Sequence, residues 1–165
     1  MYKRVQKFRE KNLDSLAKLY EYSTTIFEKN PYTKWADSKE GGYTFGQFRK
    51  TCDGLSKKLT QYGIGAGDKV AILSQSMPNW SVAFFSIVPF GRIAIPILPD
   101  SSENEVTNIL KHSESKVIFI SERLLPKLSE ECKASLTLVI DIDTFEVLKS
   151  DDNKFTCDGK VSLPM

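Results

Sequence analysis

The sequence is poor in the residues that build metal sites and disulfide frameworks. Its 165 residues include one histidine, His112, and three cysteines with no C-x-x-C spacing, Cys52, Cys132 and Cys157. A Cys/His zinc site needs several ligands at close spacing, so this composition argues against one. An odd number of scattered thiols is typical of a reducing compartment. We therefore expect a cytoplasmic protein without a structural metal.

The sequence also lacks a strong charge of either sign and a long uninterrupted apolar run. Lys and Arg number 23 and Asp and Glu 21, a net charge of +2, which gives no electrostatic reason to expect a nucleic-acid partner. The first residues are charged and have no apolar core, so we expect that they do not form a signal peptide. The longest apolar run, residues 80–97, is interrupted by Ser81, Ser86, Pro89, Gly91 and Arg92. This pattern favours a buried core helix over a transmembrane segment, and it leaves peripheral membrane contact open.

The composition is that of an ordinary globular protein. Hydrophobic residues make up 41% and charged residues 27% of the chain, and its length suits a single domain. Residues 1–12 are mostly polar and basic, and we expect them to form a flexible arm. Residues 13–165 are then expected to form one α/β domain.

Short apolar runs alternate with helical patterns along most of the sequence. Four continuous runs are expected to be strands buried on both faces: residues 70–73, 92–97, 117–120 and 136–140. This alternation predicts a doubly wound, mainly parallel sheet with helices on both faces. An N-terminal helix over residues 13–29 and a small β-hairpin over residues 31–45 precede it.

Several residues mark where the predicted helices begin and end. Thr44 with Gln47 and Ser102 with Glu105 have the spacing of capping boxes. Ser76 is expected to cap the helix that follows it, with Pro78 in the first turn. Glycines at positions 63 and 91 are expected to end helices. Residues 121–131 are expected to form an irregular helix around Pro126, and the chain after Asp141 to form loop or edge structure.

Gly63, Gly65 and Gly67 suggest a phosphate-binding loop, but their position in the chain argues against one. A dinucleotide fingerprint runs from strand to glycines to helix, whereas here a helix precedes the glycines and a strand follows. The glycines should therefore lie at the amino edge of the sheet, away from the usual ligand side. We interpret them as a structural turn, fixed by the carboxylate of Asp68.

The loops that follow the strands are better candidates for a ligand site. Residues 74–76 follow one strand, and residues 98–102 lead into a helix N-terminus that could hold an anion, although capping alone also explains their serines. His112 lies near a helix C-terminus without a second ligand and is interpreted as a surface residue. Three carboxylate pairs are interpreted as solvated surface: Glu103/Glu105, Glu130/Glu131 and Asp151/Asp152. No G-x-S-x-G is present. We assign no catalytic, cofactor-binding or metal residue.

Motifs in one order along residues 13–141 resemble a known family. They are Gly42-Tyr43-Thr44-Phe45-x-x-Phe48, Gly63-x-x-x-Gly67-Asp68-x-Val70-Ala71, Met77-Pro78-Asn79-Trp80, Phe90-Gly91, Ile95-Pro96 and the segment 109–121. In this series the chain is similar to the N-terminal portion of the adenylate-forming (AMP-binding) enzymes. It most resembles the long-chain fatty acyl-CoA synthetases. Gln75 stands where the family commonly has Asn, a difference in a loop near the family's site.

The resemblance implies an ATP-dependent ligase that forms an acyl-adenylate from a carboxylate and then transfers the acyl group to CoA, with Mg²⁺. The family's Thr/Ser/Gly-rich loop ending in Pro-Lys-Gly, its Mg²⁺-binding glutamate, its ribose-binding aspartate and its C-terminal lysine are not found in residues 1–165. We therefore expect a scaffold portion that is inactive in isolation and holds no cofactor by itself.

Two alternatives remain open at this point. The chain could be a self-standing, non-catalytic binding or interaction domain of the same fold, since a fold does not fix a function. It could also be a fragment of a peptide-synthetase-type adenylation domain. In the fragment interpretations, a cut edge of the sheet exposes unpaired backbone groups, so we expect self-association through that edge or through an uncovered apolar surface.

Overall fold

The computed structural model describes residues 12–36 and 41–151. The helices are α1 (Leu16–Ile26), α2 (Phe45–Gln61), α3 (Pro78–Ile87), α4 (Glu103–Ser113) and α5 (Glu130–Ser135), with 3-10 turns at Val88–Phe90 and Glu122–Lys127. The strands are β1 (Pro31–Thr33), β2 (Tyr43–Thr44), β3 (Lys69–Leu73), β4 (Ile93–Ile97), β5 (Val117–Ile120), β6 (Leu138–Asp141) and β7 (Val147–Ser150).

Five of these strands form one mixed sheet in the order β4-β3-β5-β6-β7. The pairs β3–β4, β3–β5 and β5–β6 are parallel, and β7 is antiparallel to β6. The strands β1 and β2 form a separate antiparallel pair, the predicted hairpin. The predicted fold class, a doubly wound and mainly parallel sheet with a preceding helix and hairpin, is confirmed.

Alternate residues of the central strands point to opposite faces of the sheet. In β3, Val70 and Ile72 belong to one core, which α1, α2 and α3 cover, whereas Ala71 and Leu73 belong to a second core under α4 and α5. All four residues are fully buried. Strands covered on both faces need no polar residues, which explains the continuous apolar runs of β3, β5 and β6. The prediction of burial on both faces is wrong for β4, where Ile93 and Pro96 are exposed because this strand lies at the edge of the sheet.

The ends of α2 follow the sequence signals closely. The Thr44 hydroxyl accepts the N–H of Gln47, and the Gln47 side chain accepts the N–H of Thr44, so both halves of the capping box form. At the other end, Gly63 adopts a φ of 76° and the N–H of Ile64 donates to the carbonyl of Leu59. This is the pattern of a Schellman stop. The second predicted capping box, Ser102 with Glu105, also forms.

The prediction that Ser76 caps α3 is wrong. The cap position belongs to Met77, which is extended at φ −154° and ψ 166° and makes no side-chain cap hydrogen bond. Pro78 occupies the first helical position and forces the residue before it out of the helical region. Because proline has no N–H, one fewer donor needs a cap. The other end agrees with expectation, since Gly91 closes the 3-10 turn after α3 with a φ of 81°.

The segment after β5 is irregular, as Pro126 predicts, and divides into the 3-10 turn Glu122–Lys127 and the short helix α5. The chain after Asp141 contains one element that the sequence left undefined, the edge strand β7. The predicted arm (residues 1–11 of it), the tip of the hairpin, Asp152 and Cys157 lie outside the described residues. No helix in the described ranges combines the length and apolar content that crossing a bilayer requires.

Candidate functional site

The strand order places a topological switch point between β3 and β5, because the chain leaves β3 toward β4 and returns to the other side of β3 as β5. Open α/β sheets bind their ligands at such a point, beyond the carboxyl ends of the strands. Ser74 and Ser121 directly follow β3 and β5 there. Their Oγ atoms lie 2.9 Å apart, and the two residues are 3% and 4% exposed. The pair therefore joins the two strand ends to each other instead of presenting its hydroxyls to a ligand.

The loop 98–102, the candidate anion site for which capping was the alternative, already binds a carboxylate of the chain itself. The Glu105 carboxylate accepts the N–H of Ser102 at 2.7 Å and its hydroxyl at 2.8 Å. These hydrogen bonds from Ser102 hold the pKa of Glu105 below its usual range. The Lys127 ammonium donates to the carbonyls of Pro99 and Ser101 and fixes the loop from its other side. The capping interpretation accounts for the serines in this loop.

Asn79 links three elements at the same edge of the sheet, and the sequence analysis had given it no role. Its amide donates to the carbonyls of Ile142 and Asp143 at 2.9 and 3.0 Å, and its Oδ1 accepts the Tyr43 hydroxyl at 2.7 Å. Asn79 is 6% exposed, and burial raises the pKa of Tyr43. The hairpin, α3 and the turn after β6 are thereby held together. The signal in the sequence was an amide side chain in the first turn of a mostly apolar helix.

The turn after β6 is stabilised by its own side chains. One carboxylate oxygen of Asp141 accepts the N–H of Asp143 at 3.0 Å, and the other accepts the Thr144 hydroxyl at 2.7 Å. Burial, together with the neighbouring Asp141, raises the pKa of Asp143. Both oxygens of Asp141 are thus used within the turn.

The glycine-rich turn lies at the opposite edge, before β3, as predicted. Asp68 accepts the N–H of Gly65 at 2.7 Å, and the N–H of Gly67 donates to the carbonyl of Gly91 at 2.8 Å. The backbone donors that a phosphate would need are therefore engaged in the turn, and the structural interpretation of these glycines is confirmed.

Arg92 is the buried charge that organises this amino edge. It is 5% exposed, and its guanidinium makes five hydrogen bonds, to Ile64 O, Ser56 O, Ser56 Oγ, Thr60 Oγ1 and Ser86 O. These acceptors belong to α2, to the turn after it and to α3. Burial lowers the pKa of Arg92, and the nearby Asp68 opposes this shift. The sequence analysis treated Arg92 only as an interruption of an apolar run and as the first residue of a strand.

The remaining candidates lie apart from one another. His112 is exposed in the last turn of α4. Glu130 and Glu131 make surface ion pairs with Lys133 and Lys111 at 2.7 and 2.9 Å. Cys52 and Cys132 are free thiols in the two cores, and burial raises the pKa of Cys52.

A groove lies between α1, α2 and the 3-10 turn Val88–Phe90, with a volume of about 460 Å³. Its lining includes the aromatic side chains of Tyr20 and Phe90, and the Tyr20 hydroxyl donates to Asp53 at 2.8 Å. Arg49 lies beside Asp53 at the rim, with 3.6 Å between Nε and Oδ2. The groove is away from the carboxyl edge of the sheet, and two of its four charged side chains, Arg49 and Asp53, form an ion pair.

These residues do not fit a nucleotide phosphate or its Mg²⁺. In the ranges that the structure describes, no three His, Cys, Asp or Glu side chains are placed to hold a metal ion. The polar groups at the carboxyl edge, Ser74, Ser121, Asn79, Asp141 and Glu105, all have partners within the chain. The arrangement can position strands and loops, but it contains no nucleophile with a base beside it.

Several known proteins are similar to this chain in sequence. A 4-coumarate–CoA ligase of Oryza sativa subsp. japonica is 29% identical over 119 residues, 71% of this chain and 21% of the relative. A long-chain-fatty-acid–CoA ligase of Mycobacterium bovis is 36% identical over 61 residues, 37% of this chain and 10% of the relative. Long chain acyl-CoA synthetase 5 of Arabidopsis thaliana is 20% identical over 151 residues, 86% of this chain and 23% of the relative. The chain thus spans about a fifth of the length of such relatives.

Solved structures also share the fold. Coronafacic acid ligase from Pectobacterium brasiliense superposes with a TM-score of 0.72 at 17% identity, covering 86% of this chain and 27% of that one. The N-terminal domain of FACL13 from Mycobacterium tuberculosis gives a TM-score of 0.66 at 22% identity, covering 74% and 32%. The sequence itself matches the family described as AMP-binding enzyme over residues 25–162. The chain therefore belongs to the AMP-binding enzyme family.

Proposed function

We propose that this chain is the N-terminal scaffold of an ATP-dependent acid–CoA ligase whose substrate is a long-chain fatty acid. The observation that carries the proposal is the match to the AMP-binding enzyme family over residues 25–162. The chain covers about a fifth of the length of its relatives. ATP, Mg²⁺ and CoA are then ligands of the whole enzyme. A cytoplasmic location accompanies the proposal, supported by two buried free cysteines.

The scaffold role rests on how the carboxyl edge of the sheet is built. Its serines, Asn79 and Asp141 are used to hold strands and turns in place, so this edge forms a rigid wall. The sequence lacks the Pro-Lys-Gly loop and the acidic ligands that would face such a wall in the family. Preorganised donors must surround a transferring phosphoryl group for catalysis. We infer that residues 1–165 alone catalyse neither adenylation nor acyl transfer.

The choice of a long-chain acid is the finer part of the proposal. Relatives named for long-chain fatty acids cover up to 86% of this chain, in addition to relatives named for 4-coumarate and 4-hydroxybutyrate. A fatty acid is favoured because two long chain acyl-CoA synthetases of Arabidopsis thaliana align over 86% and 73% of this chain, compared with 71% and 64% for the 4-coumarate and 4-hydroxybutyrate relatives. The peptide-synthetase alternative requires an amino or aryl acid as the activated substrate instead.

Inactivity of the isolated chain is tested by ATP–pyrophosphate exchange. The purified 165-residue chain is assayed with Mg²⁺ and with palmitate, 4-coumarate or an amino-acid mixture, beside a complete acyl-CoA ligase as the positive control. We expect no exchange above the no-enzyme background with any acid. Sustained exchange would contradict the scaffold role, because the described residues offer no phosphate site.

The parent activity is tested separately by reading transcripts beyond Met165. A downstream Thr/Ser/Gly-rich loop with Pro-Lys-Gly, in a longer product that forms palmitoyl-CoA faster than coumaroyl-CoA, supports the long-chain ligase. Faster formation of coumaroyl-CoA would support the ligase activity but reject a long-chain fatty acid as the substrate. If every transcript ends without such a loop, the ligase proposal is rejected in favour of a binding domain.

A further inference from the structure

The groove between α1, α2 and the 3-10 turn Val88–Phe90 is apolar on one side and polar on the other. Its volume of about 460 Å³ lies within the range of small-molecule pockets, about 300 to 1,000 Å³. The 3-10 turn contributes Pro89 and Phe90, and Phe90 is 37% exposed. The Phe90 ring lies edge to face with that of Tyr20, with 6.3 Å between the centroids. An exposed aromatic ring in a groove favours a flat apolar ligand that can stack on it.

The polar side of the groove comes from α2, and it includes a buried hydroxyl with an unused proton. Ser56 lines the groove, although the residue is only 4% exposed. Its Oγ accepts an N–H of Arg92 at 2.8 Å, and its own proton has no acceptor among the residues that the structure describes. The neighbouring Thr60 hydroxyl differs, because it donates to Ser56 O at 3.1 Å. A buried donor without a partner is costly, so Ser56 favours a ligand that accepts its proton.

Four charged side chains line the groove, and two of them remain unpaired. Arg49 and Asp53 form an ion pair with each other. Lys57 and Glu21, by contrast, form no ion pair with any residue in the described part of the chain. Lys57 belongs to α2, on the same side of the groove as Ser56, whereas Glu21 belongs to α1. The Lys57 ammonium can therefore bind an anion that the Ser56 hydroxyl also contacts.

The Arg92 guanidinium adds a further positive charge to the polar side. It donates to Ser56 Oγ at 2.8 Å and to Thr60 Oγ1 at 2.7 Å, so it lies one hydrogen bond away from the lining. None of its five acceptors is a carboxylate, and Asp68 acts on it only electrostatically. A buried cation that no contacting anion neutralises attracts negative charge over several ångströms. Together with Lys57, it makes an anion the favoured ligand.

We propose that this groove binds a small aromatic carboxylate, at a site separate from the carboxyl edge of the sheet. The ring of the ligand stacks on Phe90. Its carboxylate accepts hydrogen bonds from the Ser56 hydroxyl and the Lys57 ammonium, and such charge-assisted bonds are the stronger kind. The site is independent of the proposed ligase activity, because it uses neither the carboxyl edge nor any of the family motifs that the sequence lacks.

Two other kinds of ligand fit the groove less well. A cationic ligand would find a single unpaired carboxylate, Glu21, and would be repelled by the buried Arg92. A fatty acid has the same carboxylate, but its chain gains no stacking on Phe90 and loses rotamer freedom on binding. An aromatic carboxylate matches both the ring and the donors.

The site is tested by titrating the full 165-residue chain with 2-naphthoate and recording its amide resonances by NMR. We expect saturable binding with a dissociation constant of about 1 mM or tighter for a ligand of this size. The amides of Lys57 and Phe90 should shift, whereas those of Ser74 and Ser121, at the carboxyl edge, should not. 2-Naphthamide has the same shape without the charge and should bind at least about tenfold more weakly. Decanoate has the carboxylate without the ring and should bind about fivefold more weakly.

Single substitutions separate the contributions of charge and ring. Lys57→Gln should weaken 2-naphthoate binding about tenfold, whereas Lys116→Gln, at an exposed position away from the groove, should not. Glu21→Gln should strengthen it about threefold, because it removes a carboxylate that repels the ligand. Phe90→Leu keeps an apolar side chain and removes the ring, so it should weaken 2-naphthoate binding about fivefold and leave decanoate binding nearly unchanged. Circular dichroism verifies that each variant is folded.

The proposal is overturned if 2-naphthoate causes no saturable shifts up to about 10 mM, or if the shifts lie at the carboxyl edge instead. Equal binding of 2-naphthamide, or equal effects of the Lys57 and Lys116 substitutions, would reject the assigned carboxylate site. Tighter binding of decanoate would assign the groove to a fatty acid and reject the aromatic ligand. A dimer in sedimentation velocity that Phe90→Leu abolishes would assign the groove to a second copy of the chain and would also overturn the proposal.

Discussion

Arg92 and Lys58 are both buried cations on the same side of the sheet, but their surroundings differ. Arg92 has five oxygen partners, none of them a carboxylate, and two of its acceptor residues, Ser56 and Thr60, lie in the second half of α2. A cation near a helix C-terminus is favoured by the helix dipole. The Lys58 ammonium has no hydrogen-bond partner among the described residues, and Glu146 is the carboxylate that acts on it electrostatically. One cation is therefore expected to stabilise the fold and the other to cost stability.

Replacing Arg92 with Met should lower the free energy of unfolding by about 3 kcal/mol, because several buried oxygens lose their donor at once. Arg92→Lys should retain part of this stability, since a lysine has three donors on a single atom and cannot span the same acceptors. Urea denaturation measures the difference. Arg123→Met, at an exposed position, is the matched control and should change stability by less than about 0.5 kcal/mol. Equal losses for Arg92 and Arg123 would show that the guanidinium contacts contribute nothing.

Lys58→Met should raise the free energy of unfolding by about 1 kcal/mol at neutral pH, since it removes a buried charge without a hydrogen-bond partner. Burial lowers the pKa of Lys58 from its ordinary value of 10.5, so the unfolded chain binds more protons between the two values. Wild-type stability should therefore rise with pH through that alkaline window, and the Met variant should lose this contribution. Exposed Lys57→Met is the control, and denaturant titrations at pH 7 and in the alkaline window measure both slopes. A loss of stability on Lys58→Met would mean that attraction to Glu146 outweighs the cost of burial.

Neither buried cation could be recognised from the sequence. Lys58 lies in a helix rich in lysine, and Arg92 lies at the start of a strand. Basic residues at both kinds of position usually face solvent. Burial of Arg92 depends on acceptors 28 and 36 residues away in the chain, which no local pattern encodes. By contrast, Asp68 was assigned correctly because its partner, Gly65, lies three residues away.

At the scale of single elements, the sequence predicted most helix ends because their determinants are local. Both capping boxes and the Gly63 stop involve residues within one or two turns of each other. The exception, Ser76, shows how two local signals can compete. Proline at the first helical position displaced the cap to Met77, and a serine two residues earlier was out of reach.

Three glycines of similar appearance should respond differently to alanine. At Gly63, φ is 76° and an added Cβ meets nothing within 4 Å, so the cost is the backbone strain alone, about 1 kcal/mol. At Gly42 an added Cβ would lie 2.0 Å from Thr33 O, so the β1–β2 pair must shift. The free energy of unfolding should therefore fall by more than about 3 kcal/mol. Gly54 lies inside α2 with open space around it, and alanine there should raise the free energy of unfolding by about 0.5 to 1 kcal/mol.

Thermal and urea unfolding of the three alanine variants measure this order directly. Gly54→Ala also serves as the control for substitution itself, since it introduces the same methyl group without positive φ or a contact. If Gly42→Ala were no worse than Gly63→Ala, the close approach of the two hairpin strands would be refuted.

At the scale of the whole molecule, the fold class followed from the alternation of apolar runs, but the strand order did not. Sheet order depends on pairings between distant segments such as Val70 with Val117, and short apolar strands carry no register signal of their own. The antiparallel strand β7 was left undefined for the same reason. The polar groups of the candidate site could not be assigned either, since Ser74 and Ser121 meet only once β3 and β5 are neighbours.

The strand order also identifies β4 as an edge strand, and Pro96 determines how readily that edge can pair with a strand of another chain. The N–H of Ile93 donates to Asp68 O, so Ile93 and the alternate residues after it face β3, while the backbone of Pro96 faces outward. Proline has no N–H to offer there, which is how edge strands resist pairing with another chain. Ile93 is nevertheless 46% exposed beside this edge. We therefore expect self-association through β4 to be weak, because Pro96 limits the backbone hydrogen bonds that this edge can form.

Pro96→Val should strengthen self-association by about tenfold, because a two-fold pairing of β4 with β4 of a second copy would gain one backbone hydrogen bond from each chain. Sedimentation velocity over a range of concentrations measures the change. Pro126→Val, in a 3-10 turn outside the sheet, is the matched control and should leave association unchanged. Unaltered association of Pro96→Val would show that β4 is not where copies of this chain meet, and would move the expected contact to β7 or to an apolar surface.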